Sequence, residues 1–278
     1  MKRVFILFFS CGLFLYDQAR RLCLRLIGRR APGSCVVLMY HSIPANQRVG
    51  FARQMDVVRR VATPLRADSQ VPLAASQSYV AITFDDGLIS FAENALPELE
   101  EREIPVALFV VAGKLGTIPA WGDYSSGAIP GERMLSEEQL RDLSGKVLIG
   151  SHSSTHPMLT KLDRAQARQE IEGSRRELET MLGQKVTLFS FPYGAFAEDL
   201  LSYCKDAGYE RVFTILPVMA FSNPREFVSG RINVDPTDWP LEFRLKITGA
   251  YRWLPYAFDA KRALSKALTF RLAETQEA

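Results

Sequence analysis

Two adjacent carboxylates and three histidines are the groups in this chain that could carry chemistry together. Asp85 and Asp86 follow the run Tyr79-Val-Ala-Ile-Thr-Phe84 and precede Gly87. The run reads as a short buried strand closed by a turn signal, so both acids are delivered to one rim of the fold. Neighbouring carboxylates repel unless they share a cation or a proton, which points to a metal or general-base site. An Asp-Gly hairpin turn is the plainer reading of the same residues. The chain of 278 residues has three histidines. His41 ends the run Cys35-Val-Val-Leu-Met-Tyr40, and His152 and His156 follow Val147-Leu-Ile-Gly150, so all three also lie just beyond strands.

His152 and His156 are four apart, and both rings turn to one side if Ser151 opens a helical turn. Two imidazoles with one carboxylate, from Asp85 or Asp86, make an open metal site with positions left for water and substrate. A His-Glu-x-x-His protease site is excluded, because Ser153 stands at the glutamate position.

Positioning these groups requires strand tips that share one face. Apolar runs at 35–40, 79–84, 105–113, 147–150, 186–191, 211–215 and 227–234 read as seven strands. Helical periodicity covers 51–69, 91–102, 136–143, 163–182 and 197–207. The alternation predicts an α/β fold with about seven parallel strands, open or closed into a (β/α) barrel, whose sites lie beyond the strand ends. Residues 114–133 form a loop rich in Gly, Ser and Pro that carries Trp121 and Tyr124, and loops of that length are often functional. Residues 241–251 alternate apolar and charged, and Trp253, Pro255, Tyr256 and Phe258 read as half-exposed. A helix is expected at 260–272 and a frayed end at 274–278.

At 47% hydrophobic and 23% charged, the composition is that of a globular protein with a sizeable core. Residues 1–34 hold seven basic residues against one acid, whereas the whole chain sums to +3. The remainder is therefore mildly acidic, which excludes a basic nucleic-acid-binding body. Four cysteines show no Cys-x-x-Cys spacing, so a disulfide framework or a cysteine zinc site is not expected. Val4 to Tyr16 is apolar but shorter than the ~20 residues that span a bilayer. It has the size of a signal-peptide core, without an Ala-x-Ala-like cleavage site after it. Arg21, Arg25 and Arg29 recur every fourth residue among Leu22, Cys23, Leu26 and Ile27, a basic amphipathic helix suited to an anionic membrane surface. Residues 1–34 are thus expected to hold the protein at an inner membrane, with cleavage to a periplasmic or secreted form as the alternative. A helix resting on the protein's own surface is the plainer reading. Ala31-Pro-Gly-Ser34 reads as the boundary before a catalytic domain at 35–278.

Three motifs in order, Thr83-Phe-Asp-Asp-Gly87, His152-Ser-Ser-Thr-His156-Pro157 and Phe189-Ser-Phe-Pro-Tyr-Gly194, resemble the polysaccharide deacetylases (carbohydrate esterase family 4). The resemblance covers roughly residues 35–240. It implies a distorted barrel of about seven βα units. It implies Asp85 as general base, and Asp86, His152 and His156 as ligands of a divalent metal, zinc foremost and cobalt or nickel also suited. By the same resemblance the backbone N–H of Tyr193 faces the developing oxyanion, Pro192 fixes that loop, and both line the substrate site; Trp121, on the 114–133 loop, is also read as a substrate contact.

Two departures stand out. Ser190 replaces the arginine that holds the base in the family. Arg231, a charge in an apolar strand, is placed to pair with Asp85 instead; a surface arginine on an edge strand is the competing reading. No histidine follows His156, so the late Leu-x-x-His is absent. A branch acting on exopolysaccharides carries Tyr-His at the early strand, which assigns proton donation to His41. Asp235, Asp238 and Trp239 resemble a weak fourth motif or form a turn, the turn being preferred. The implied activity is removal of N-acetyl groups from amino sugars of a bacterial cell-surface polysaccharide or its lipid-linked precursor. A deformylase or O-acetyl esterase on another acylated sugar, and an inactive carbohydrate-binding module, are the alternatives.

Overall fold

Strands buried on both faces tend to pair in parallel, with helices covering them. In the computed structural model, which describes residues 2–121 and 131–258, the apolar runs do this. Along the chain lie helix α1 (Lys2–Leu26), β1 (Ser34–Tyr40), α2 (Arg48–Val61), β2 (Thr63–Pro64) and β3 (Ser78–Phe84). A π turn (Phe91–Ala95) then leads into α3 (Leu96–Glu101), followed by β4 (Val106–Val110), α4 (Glu137–Leu143), β5 (Leu148–Ser151) and α5 (Arg164–Leu182). β6 (Leu188–Ser190), α6 (Glu198–Asp206), β7 (Arg211–Phe213), β8 (Val228–Ser229), β9 (Ile232–Asn233) and α7 (Pro240–Ile247) complete it. Tyr124, the helix expected at 260–272 and the end at 274–278 lie outside the described residues.

The sheet order is β8-β7-β6-β5-β4-β3-β1-β9, with β2 paired to the start of β3. Every strand pair is parallel. β8 and β9 are the two ends of that order, yet Gly230 and Arg231 alone separate them. Three peptide steps reach at most about 10 Å, so the sheet must curl until its edges meet. The expected strand at 227–234 is therefore two strands, one on β7 and one on β1. The break falls at Gly230, where a Cβ would collide with the Leu216 carbonyl oxygen and the Val218 side chain.

Other departures have local causes. The helix expected over 51–69 stops at Val61, because Pro64 cannot continue it and the next residues pair with β3 as β2. Where apolar and charged residues alternate over 241–251, α7 forms up to Ile247, with Glu242 and Lys246 buried beside Phe243, Leu245 and Ile247. Their charges are hidden by pairing, Lys246 with both Asp238 and Glu242, so alternation gave no helical stripe. At the N-terminus one continuous helix replaces an apolar run followed by an amphipathic one.

Beneath the site, β1 and β3 are locked in register from Ser34↔Ser78 to Tyr40↔Phe84. The Tyr40 ring stacks on Phe84 at 5.3 Å, and Phe51 and Phe91 meet Phe84 edge-on. These fully buried rings fix the heights at which His41 and Asp85 emerge. At the seam, Gly230→Ala is expected to cost about 1–3 kcal/mol through overpacking; urea unfolding should show a lowered midpoint, and an unchanged midpoint would mean that the seam has room for a side chain.

Candidate active site

Asp85 leaves the tip of β3, its N–H bonded to the Tyr40 carbonyl at 3.0 Å. The next two residues turn sharply, with φ of 70° at Asp86 and 72° at Gly87. Left-handed backbone is costly for Asp and ordinary for Gly. Gly87 also needs to lack a side chain, since a Cβ would sit 2.8 Å from Val110 Cγ1. This turn sends the consecutive carboxylates in different directions.

Asp85 faces Arg231, which is wholly buried. The guanidinium donates from Nη1 to Oδ1 at 2.6 Å and from Nη2 to Oδ2 at 2.7 Å, a bidentate fork. It also donates to Ser190 Oγ at 2.7 Å, to Thr83 Oγ1 at 3.2 Å and to the Thr214 carbonyl at 3.3 Å. The Phe109 and Phe213 rings lie 5.4 and 5.8 Å from it. Arg231 is thus no surface residue of an edge strand. Burial alone would raise the Asp85 pKa, but Arg231 outweighs it, with help from His152 and His41, and holds the carboxyl well below its usual range.

Asp86 faces the histidines. His152 takes its height from its N–H bond to the Val110 carbonyl at 2.8 Å. Its Nδ1 lies 2.8 Å from the Ser190 carbonyl. A carbonyl only accepts, so Nδ1 carries the proton and Nε2 keeps a lone pair. The expected helical turn over 151–156 does not form: Ser153 and His156 have φ of 67° and 63°. Polar contacts hold the loop in that shape. The Ser153 N–H donates to Ser151 Oγ at 3.2 Å, and the His156 N–H to Ser153 Oγ at 3.0 Å. Glu170 of α5 accepts from the Ser154 and Thr155 amides, both at 2.9 Å, and from Thr155 Oγ1 at 2.6 Å.

The result places one ligand atom each of Asp86, His152 and His156 within 4.8 Å of one another. His156 Nε2 is 3.4 Å and His152 Nε2 3.7 Å from Asp86 Oδ1. Two ligands at zinc distance and tetrahedral angle lie about 3.4 Å apart. Burial, with His152 adding to it, pushes the His156 imidazole down to about 2, so it is neutral, the ligating form. Burial raises the Asp86 carboxyl, with His41 and His152 opposing it. Asp86 Oδ1 and His156 Nδ1 are buried with no hydrogen-bond partner. A buried carboxylate oxygen left this way beside two imidazoles matches a cation site in its donors, its spacing and its unmet demand.

The remaining predicted residues surround this centre. Trp121 stacks on His156 at 4.3 Å and 20° and acts on the Asp86 carboxyl, favouring its charged form, so it borders two of the three candidate ligands. Pro192 is buried, while Tyr193 adopts φ 58°, is 42% exposed and sets its ring 4.8 Å from His156. His41 is half-buried with an unpartnered Nδ1, and it lies within electrostatic reach of both carboxylates. Asp235 and Asp238 form a turn, the Asp238 N–H reaching the Asp235 carbonyl at 2.9 Å, and Asp238 pairs with Lys246. Sequence reasoning missed Glu170 and Glu132. Glu132 accepts from Ser42 Oγ at 2.6 Å and from the Ser90 amide at 2.9 Å, tying down the segment after His41.

Arg231→Ala leaves a buried carboxylate unpaired and is expected to cost about 3–5 kcal/mol, read as a drop in the urea midpoint. Asp85's folded pKa is depressed, so the pair's contribution is complete above the unfolded value of ~3.9 and is lost as pH falls through the lower folded value. The gap between wild type and variant should accordingly be constant near neutral pH and narrow in acid. A gap that widens in acid would contradict the pairing.

Comparison with known proteins identifies the family. A family model described as "Polysaccharide deacetylase" matches residues 73–212. The protein YxkH of Bacillus subtilis (strain 168) is 24% identical over 217 residues, 74% of this chain and 73% of the relative. The poly-beta-1,6-N-acetyl-D-glucosamine N-deacetylase of Staphylococcus aureus (strain MRSA252) is 24% identical over 163 residues, 55% of this chain and 53% of that protein. Among solved structures, IcaB from Ammonifex degensii superposes with a TM-score of 0.64 at 26% identity, covering 80% of this chain and 98% of IcaB. The matched residues include Asp85, Asp86, His152, His156 and the Pro192-Tyr193-Gly194 turn, and the chain belongs to the polysaccharide deacetylase family.

Proposed function

We propose that this family member is a divalent-metal-dependent hydrolase that removes N-acetyl groups from amino sugars in a cell-surface polysaccharide or its lipid-linked precursor. One observation carries the reading: a buried Asp86–His152–His156 triad stands beside a second carboxylate, Asp85, held apart from it by Arg231. The relative acting on a poly-N-acetylglucosamine supports an amino-sugar polymer as substrate class. Two imidazoles and a carboxylate suit zinc, and cobalt or nickel would also be accepted.

Asp86, His152 and His156 would hold the metal. Bound there, a divalent cation lowers the pKa of its water and polarises the acyl carbonyl, the acidity that a base as weak as ion-paired Asp85 requires. Asp85 takes the proton of the attacking water; Arg231 keeps it ionised and fixes its two oxygens. The Tyr193 backbone N–H lies on the turn that faces the developing oxyanion. Pro192 and the left-handed φ of Tyr193 set that turn before substrate arrives. His41 delivers a proton to the departing amine from the side of β1.

Deacetylation of N-acetylglucosamine oligomers should be abolished by chelator, restored by zinc, and lost in Asp85→Asn with metal content retained. Measurable turnover that chelator leaves untouched would sink the reading. His41→Ala is expected to lower kcat by about 10²–10⁴-fold with metal content unchanged; loss of metal in that variant would make His41 a ligand instead of the acid.

A further inference from the structure

Helix α1 is pinned to the domain on one side and bare on the other. On the inward side Leu7 is buried in the core with Ile6, Cys11 and Phe14 packed against it, and polar contacts recur there every seventh residue. Arg3 donates to Glu242 at 2.8 Å and sits over the Trp239 ring, Ser10 Oγ accepts from the Trp253 indole at 3.0 Å, and Asp17 accepts a fork from Arg252 at 2.7 Å. One turn after Asp17, Arg21 reaches Ser34 and Ser78. The outward face is apolar along its whole length. Val4, Phe5, Phe8, Leu15, Leu22 and Leu26 are each 57–77% exposed. At 100° per residue they fall within an arc of about 100°, a stripe about 33 Å long. A helix that only covered the domain would need the inward apolar face alone and would carry polar residues where this second stripe lies.

We infer that the stripe is a bilayer-docking face that lies flat in an anionic membrane surface. Charge identifies the occupant. Arg20 and Arg25 flank the stripe on either side, and Arg29 and Arg30 follow its end; all four are exposed and have no ion-pair partner among the described residues. Apolar residues bordered by free arginines match acyl chains bordered by anionic headgroups. A second copy of the chain fits worse. The one acid of the helix, Asp17, is taken up by Arg252, so two copies would bring basic residues to basic residues. The helix does not cross the membrane. Among the described residues no helix is long and apolar enough to do so, and the inward polar contacts bind this one to the domain along its length.

Docking in this way also orients the site. Arg21 meets the first residues of β1 and β3, Ser34 and Ser78. Arg3 meets Trp239 and Glu242, beyond the outgoing end of β9. α1 therefore runs opposite to the strands, from the catalytic rim to the far end of the barrel. With α1 in the membrane plane, the barrel lies on its side, and the catalytic mouth opens along the surface, where a growing polymer or its lipid-linked precursor is within reach.

The test uses the full chain and phosphatidylcholine vesicles with and without phosphatidylglycerol, and it reads lipid binding without relying on turnover. Flotation with phosphatidylglycerol vesicles is expected. Phe8→Glu combined with Leu15→Glu should weaken it more than about tenfold with an unchanged melting temperature, and Arg20→Gln with Arg25→Gln should remove the preference for phosphatidylglycerol. In a Leu15→Trp variant, acyl-chain-brominated lipids should quench the added emission, whereas the wild-type tryptophans, Trp121 at the mouth and Trp239 and Trp253 on the inward side of α1, should be quenched little. No flotation, flotation indifferent to the glutamates, or a lipid-free dimer that the glutamates dissociate would overturn the docking; wild-type emission quenched as strongly as the emission added by Leu15→Trp would overturn the orientation.

Discussion

The structure depends on one buried ion pair. Arg231 has no access to water, and its partner Asp85 is almost as enclosed. Neither charge could stay there without the other, because desolvating an unpaired ion costs several kcal/mol. The pair divides the labour between adjacent acids. Asp85 has both oxygens engaged by the guanidinium fork and Ser190, whereas Asp86 keeps a buried oxygen with no hydrogen-bond partner, the one left for a cation. Ser190 is small enough to let the guanidinium approach from β8–β9, and its carbonyl sets the His152 tautomer. A single strand tip, β6, thereby holds both Asp85 and His152.

Backbone strain is concentrated around the same centre. Asp86, Ser153, His156 and Tyr193 all have positive φ without being glycine, each at a cost of order 1–3 kcal/mol. Such conformations persist where their surroundings over-determine them. Here Ser151, Ser153 and Glu170 supply the contacts for the histidine loop, and Gly194 bonds back to Phe191 across the Tyr193 turn. The rings of His152 and His156 are thus set by strained loops rather than by regular elements.

Much of this was legible in the chain itself. Seven apolar runs gave the parallel sheet, since buried parallel strands carry no competing pattern. Asp85, Asp86, His41, His152 and His156 were visible because each follows such a run. The pairing of Arg231 with Asp85 was open to inference because a lone charge in an apolar run demands a counter-charge. What escaped has a physical cause in each case. The split at Gly230 depends on sheet closure, a property of all the strands together. Glu170 is one acid among many on a charged helix, and nothing local distinguishes an outward glutamate from one turned to a loop. The burial of α7 was hidden because Glu242 and Lys246 neutralise each other. The periodicity of α1 marks an apolar face, but which way that face turns is decided by partners more than two hundred residues away.

The position of Arg231 at the meeting of the two sheet edges has a temporal consequence. During synthesis every other residue assigned to the centre, from His41 to Tyr193, leaves the ribosome well before residue 231. Until then the two edges of the sheet have not been brought together and Asp85 lacks its guanidinium partner, so a partly made chain has neither the curled sheet nor the Arg231–Asp85 pair in place. Closure and the Arg231–Asp85 pair arrive with the same two residues, Gly230 and Arg231.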